Sequence, residues 1–199
     1  MNKITHNEIK NLLQRWMPTG HKIFSDGTEL IGKVAHLSPY AWFHELFAPP
    51  TEIDHDQLLH YIPDIFDFEV GKLLFTLNGM SLFSSHLFIY GVRTSYRRDG
   101  SIFQPWEITT HHCEKVDNLY GRKAIVFGGS DALPDGISFV ENADFSIDAF
   151  DRNNWNKPMH SWPNLHDFVR AEIARLSLLF DDLGKPIDAK LLADFNFKV

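Results

Sequence analysis

A single cysteine, Cys113, stands in the whole chain, so no internal disulfide can form. Nowhere do apolar residues run long enough to span a bilayer, so a membrane partner is not expected. Basic residues are outnumbered, 19 Lys and Arg against 26 Asp and Glu, and the net charge is −7. General nucleic-acid binders neutralise phosphates with Lys and Arg, so this balance argues against direct nucleic-acid contact and permits a basic protein partner. Met1 to His6 is polar and unlike a signal peptide, which makes the cytoplasm the expected compartment. The sequence shows no internal repeat and no low-complexity segment. No H-E-x-x-H spacing is present, and Gly128-Gly129-Ser130 has no lysine in the P-loop position.

What is abundant is core material. Hydrophobic residues make up 44% and aromatics 14%, with 17 Phe in 199 residues. That is ample for one packed domain and argues against disorder.

The stretch Ile62 to Tyr90 organises the chain. Pro63 suits a first helical turn. Phe66, Val70, Leu73, Leu74 and Leu77 then fall on one helical face. Asn78-Gly79 stops the helix with a residue suited to a left-handed backbone. Leu87 to Tyr90 is apolar on both faces, as a strand covered on both sides would be. Before this stretch, Thr5-x-x-Glu8 is a capping-box pattern that opens a helix carrying Ile9, Leu12, Leu13, Trp16 and Met17. Residues 21–35 read as two strands around Ser25-Asp26-Gly27. Ser38-Pro39 starts a short helix with Tyr40, Phe43 and Phe47 on one face, and Glu52 to Tyr61 forms another, with Leu58, Leu59 and Ile62 facing in.

After Tyr90 a polar turn, Tyr96 to Gly100, holds the densest basic cluster. A short helix is expected around 108–116 and a turn at Asn118 to Gly121. Residues 123–128, 136–141 and 145–150 read as three antiparallel strands, with Gly128-Gly129 turning the chain between two of them. Asp151 to His160 is a polar loop. The last long helix opens at Asn164 and carries Leu165, Phe168, Val169, Ile173, Leu176, Leu179 and Phe180 inward. Asp181 and Asp182 sit at the end of that helix least favourable to negative charge. The apolar residues of the tail, Leu191, Leu192, Phe195 and Phe197, imply that it docks on the domain.

Few groupings suggest chemistry. His111-His112 with Glu114 is the most enzyme-like, but neighbouring helical residues point about 100° apart and do not readily share one ion. Cys113 is expected to be a small buried hydrophobe rather than a nucleophile. Asp135, Glu141, Asp144, Asp148 and Asp151 accumulate along the late strands. They form either a charged outer face that keeps strand edges from pairing or an acidic docking face. Trp106, beside Glu107, and Trp155 flank polar loops and could anchor a partner. Trp16 and Trp162 belong to the core.

Several of these motifs occur together in one order. The Pro63 helix closed by Asn78-Gly79 precedes the Leu87 to Tyr90 strand. Gly128-Gly129 follows, then Asp135-Gly136, then Trp162-Pro163 with Phe168. This series resembles the SUKH superfamily, which includes fungal Smi/Knr-type cell-wall regulators and bacterial toxin-immunity proteins. The resemblance covers roughly residues 40–184. It implies an α+β fold, a mostly antiparallel, twisted sheet packed against helices. A single domain is expected, with its core at about 38–184, an N-terminal elaboration at 1–37 and a packed tail at 185–199. It also implies a non-enzymatic binding module with no cofactor, most plausibly a cytoplasmic immunity protein for a cognate, basic toxin domain. The alternatives are a regulatory scaffold for an endogenous partner and, from another class, a hydrolase built on His111, His112 and the late carboxylates.

Overall fold

The computed structural model describes residues 3–93, 103–113, 115, 119 and 121–195. The expected basic turn at 96–100, Glu114, Asn118 and Phe197 lie outside them. The fold is α+β: a nine-stranded antiparallel open sheet in which each strand pairs with its neighbours in sequence. Strands β1 (His21–Ile23), β2 (Glu29–Lys33) and β3 (Trp42–Leu46) come first, then β4 (Met80–Leu82) and β5 (Leu87–Ile89). β6 (Ala124–Ser130), β7 (Ile137–Asn142), β8 (Ile147–Asp151) and β9 (His160–Trp162) complete the sheet. Five α-helices accompany it among the described residues: α1 (His6–Leu12), α2 (Glu52–Tyr61), α3 (Glu69–Leu74), α4 (Ile108–Cys113) and α5 (Leu165–Leu179).

Local sequence accounts for most of these elements. Thr5 caps α1 by accepting from Glu8 N at 3.2 Å. Thr51 and Asp54 close a full capping box on α2. Asp26 accepts from Thr28 N at 2.8 Å and Gly27 takes φ +97°, which makes the β1–β2 hairpin. Asn164 accepts from Asp167 N at 2.8 Å and opens α5. Every residue of the α5 stripe read from the sequence is buried. At one end of α5, Phe168 meets Phe127, Phe139 and Trp162 at ring distances of 5.7, 4.7 and 4.9 Å. Just past the other end, Phe180 meets Phe43 and Phe83 at 5.2 and 5.7 Å. One helix thus fastens β6, β7 and β9 to β3 and the β4–β5 turn. α1 lies on α5, with Arg170 Nη1 2.6 Å from Glu8 Oε1. Leu192 and Phe195 of the tail are buried in the same core. No helix among the described residues is long and apolar enough to cross a membrane.

Several expectations need correction, the smallest at Leu59 of α2, expected to face in but 38% exposed. The helix expected over 38–47 is strand β3. Phe43 and Phe47 are four apart, an even spacing that shares a face in a strand as well as in a helix. Tyr40 breaks the tie, since it is 85% exposed and does not join them. The helix expected from Pro63 to Leu77 is broken. A 3-10 turn, Ile65–Asp67, gives way at an extended Phe68 to the short α3. The cause lies far along the chain: the Glu141 carboxylate accepts from Glu69 N at 2.6 Å and Val70 N at 2.9 Å, starting a new helix there. Gly128 and Gly129 do not turn the chain but lie inside β6, at a bulge. A Cβ at Gly128 would stand 2.3 Å from Phe88 O, and one at Gly129 2.5 Å from Ile137 O. The glycines are there for close strand approach. Finally, Cys113 is exposed, not buried. β4 and β9, at three residues each, were not anticipated, because such short strands display no alternation.

Candidate functional site

The carboxylates expected to form one acidic face are divided by the fold. Glu141 is fully buried as the cap of α3; burial pushes it up to about 7, against the pull of the two N–H donors. Glu107 is also buried and accepts from Arg93 N at 2.9 Å, Thr109 N at 3.3 Å and Thr109 Oγ1 at 3.0 Å. It braces the start of α4. Asp148 is half-buried and accepts from Asn142 Nδ2 at 2.9 Å and Ser161 Oγ at 2.5 Å. Asp144 is exposed, and hydrogen bonds from the Ser146 hydroxyl and N–H hold it below the usual carboxylate range. Asp135 and Asp151 sit at the opposite end of the β7–β8 pair, each accepting from Asn153 at 2.8 Å. At about 3.4 Å per residue, the two ends of β7 are roughly 17 Å apart. Two small acidic corners therefore replace the single face.

The two expected aromatic anchors part company. Trp155 is buried, stacked on Phe150 at 5.3 Å, with its indole N–H donated to Arg152 O at 2.9 Å. It is a core residue, which the polar loop around it concealed. Trp106 is 53% exposed. His111 and His112 serve packing: His111 stacks on Tyr90 at 4.6 Å, and His112 Nδ1 accepts from Val126 N at 3.2 Å. Burial lowers the His112 pKa. No group of three or more His, Cys, Asp or Glu among the described residues is placed to hold a metal.

Beneath Trp106 lies a cleft of about 280 Å³ that sequence reasoning missed. Glu45 and Ser81, cross-strand partners on β3 and β4, share one of its walls with Phe47. Tyr40, Ala41 and Trp42 come from the entry to β3, and Gln104 and Trp106 from the segment that runs into α4. Ser84 and Ser85 come from the β4–β5 turn. That turn is unusual. Phe83, Ser84 and Ser85 take φ of +54°, +52° and +71°, three consecutive non-glycine residues in the left-handed region. Each costs about 1–2 kcal/mol there. The surroundings hold them in place. Phe83 is buried among Trp16, Phe43 and Phe180, and its N–H donates to His44 Nδ1 at 3.3 Å. Ser84 N donates to Phe43 O at 2.9 Å, and Ser85 O accepts from Asp131 N at 3.2 Å. Strain held in this way collects at ligand sites. Burial pushes the Glu45 carboxyl up to about 7. The cleft's signals in the sequence are Glu45 between Phe43 and Phe47 and the Ser84-Ser85 pair, which a helical 38–47 would not bring together.

Comparison with family models, with curated proteins and with solved structures returns no match to this chain. The SUKH resemblance rests on the ordered motifs alone.

Proposed function

We propose that this chain is a non-enzymatic protein-binding module, in its most specific form a cytoplasmic immunity protein that neutralises a cognate toxin by covering it. One observation carries the reading. Trp106, Tyr40 and Leu37, 53%, 85% and 59% exposed, gather on the rim of a single cleft. Clustered exposed apolar side chains on a soluble domain mark contact surfaces, and Trp and Tyr are the residue types that anchor them. The net charge of −7 suits a basic partner, which the field of the whole molecule would steer inward. Asp135, Asp144, Asp148 and Asp151 contribute to that field from two corners. The histidines that would serve a hydrolase are engaged in packing, which supports the binding reading over the enzymatic one. Neutralisation is then steric and electrostatic, with no bond made or broken in either protein.

The test is binding kinetics against the product of the neighbouring gene, beside a growth-protection assay. Added salt should slow association. Trp106→Ala should speed dissociation by about tenfold or more, because anchors act after docking. Unchanged kinetics and full protection in a Tyr40→Ala, Trp106→Ala double variant would place the contact elsewhere. Absence of any binding would sink the immunity reading for that pair and leave a regulatory scaffold with an endogenous partner.

A further inference from the structure

The cleft beneath Trp106 contains the Glu45 carboxylate, which no cationic side chain of the described residues meets. The Glu45 carboxyl makes no hydrogen bond or ion pair with the described residues, and burial alone raises its pKa. Tyr40 is the only other titratable side chain among the described residues that line the cleft. The charged groups on the adjoining strand β2 are already engaged. Lys33 lies over the Trp42 ring at 5.4 Å, and Glu29 is paired with Lys10 at 2.6 Å and with His21. His44, next to Glu45 on β3, is fully buried and held neutral by that burial. Ser81 Oγ and Ser85 Oγ lie 3.2 Å apart in the lining, and the Ser84 Oγ behind them is buried with no hydrogen-bond partner among the described residues.

We propose that the cleft walled by Glu45, Tyr40, Trp42 and Trp106 is a binding site for an organic ammonium group, carried either by a free small molecule or by a lysine side chain of a protein. The carboxylate supplies the opposite charge. The Tyr40 and Trp106 rings supply the attraction that aromatic cages use for ammonium ions, while the Trp42 ring already lies under Lys33 and serves as a wall. The Ser81 and Ser85 hydroxyls, hydrogen-bonded to each other, keep lone pairs that accept from the N–H groups of a primary ammonium. An anion would be repelled by Glu45, and a neutral apolar ligand would leave the carboxylate desolvated and unpaired. The strained turn Phe83–Ser85 fixes the floor before any ligand arrives. The site shares a face with the proposed partner contact but does not depend on a partner existing, so free ligands test it alone.

Coupling to protons follows from the same geometry. With its pKa near 7, Glu45 is mostly protonated in mild acid, and an arriving cation must displace that proton. Affinity should therefore fall by up to about tenfold for each pH unit below the Glu45 pKa and level off above it.

The probes are choline and Nα-acetyl-lysine methylamide, each beside its neutral isostere, 3,3-dimethylbutan-1-ol and Nα-acetyl-norleucine methylamide. Tryptophan fluorescence and thermal midpoint report binding, at about pH 6 and about pH 8. The expected result is that at least one cation binds about tenfold or more tightly than its isostere, and more tightly at the higher pH. Glu45→Gln should lose at least about tenfold of that affinity and its pH dependence. Should Glu45→Gln fail to fold, Trp106→Ala and Tyr40→Ala, both at exposed positions, carry the test and should weaken the cation selectively. Preference for choline identifies a small-molecule source, and preference for the lysine derivative a protein side chain. No binding of either cation at millimolar concentration, equal binding of the isosteres, or full affinity in Glu45→Gln would each overturn the proposal. A protein partner bound normally by Glu45→Gln, with no ammonium binding in wild type, would end this proposal and leave the partner reading standing.

Discussion

Glu172 and Arg175 lie side by side on the buried face of α5, with Arg175 Nη2 2.7 Å from Glu172 Oε2. The same guanidinium reaches out of the helix, donating through Nη1 to Leu192 O at 3.0 Å and Leu191 O at 3.3 Å. A buried ion pair adds little by itself, since desolvation offsets attraction. Here the pair also ties the segment around Leu191 and Leu192 to the helix, through backbone carbonyls.

Breaking one half of the pair should be costly. Arg175→Leu should destabilise the fold by about 3–5 kcal/mol, because it leaves the buried Glu172 carboxyl without its partner. A double variant, Glu172→Leu with Arg175→Leu, should recover a large part of that loss. Urea unfolding measures both, and proteolysis should cut near residue 190 in the single variant first. Equal stabilities for single and double variants would show that the pair is not coupled.

Glu141 should behave as a structural cap rather than a surface contact. Glu141→Ala leaves two helix N–H groups and their neighbourhood unsatisfied, and should cost about 1–3 kcal/mol. Asp144→Asn, at an exposed turn, should stay within about 0.5 kcal/mol. Chemical denaturation of the two variants side by side decides the matter.

Acid should expose the buried histidines. Burial lowers the pKa of His44 well below 6.5, and that of His112 and His86 in the same direction. Below pH 6.5 the unfolded chain takes up a proton that folded His44 refuses, so stability falls as pH falls. The slope reaches about 1.4 kcal/mol per pH unit for His44 and is smaller for the other two. Glu45 and Glu141 act oppositely. Their folded pKa of about 7 exceeds the ordinary 4.5, so the stability they hold at low pH is lost as pH rises from 4.5 through 7. Measured stability between about pH 4.5 and 6.5 should therefore vary less than either set alone implies. Glu45→Gln should steepen the loss on the acid side; an unchanged profile would show that Glu45 titrates normally.

Cys113 should be open to reagents. It is exposed at the end of α4, so thiol labelling of the native protein should proceed at nearly the rate seen in denaturant. Protection by more than about a hundredfold would bury it.

The turn Phe83–Ser85 offers a test by relief. Ser84 sits at φ +52°. Ser84→Gly removes the Cβ conflict and should raise stability by up to about 1 kcal/mol, less what the glycine adds to unfolded-state freedom. Thermal and urea midpoints below those of wild type would show that the serine hydroxyl contributes more than its backbone costs.

How far the sequence could be read depended on the range of the determining contact. α5, the 21–33 hairpin and the β6–β8 strands were legible, since caps, turns and periodicity lie within a few residues of one another. The break in the organising helix was not, because its cause, Glu141, stands 71 residues from Val70. The period of four shared by Phe43 and Phe47 concealed β3, and with it the cleft around Glu45. Trp155 read as an anchor because its neighbours are polar; only the fold brings Phe150 against its ring. The acidic residues were correctly counted, but counting does not tell a cap from a surface charge.

The sequential order of the sheet bears on how the chain leaves the ribosome. Each strand after β1 finds one partner already synthesised when it emerges, the longest waits being the α-helical connections from β3 to β4 and from β5 to β6. Pairing can proceed in step with translation, with little of the delay that long-range β topologies impose. The long helix α5 follows all nine strands, and it is also the element that reaches back to α1, through Arg170 and Glu8, 162 residues apart. Until that helix arrives, the nascent sheet has an uncovered apolar side. The chain's hazard in the cell is thus concentrated in the interval before α5 is made, and a truncation short of Leu165 would produce a sticky sheet rather than a smaller version of the protein.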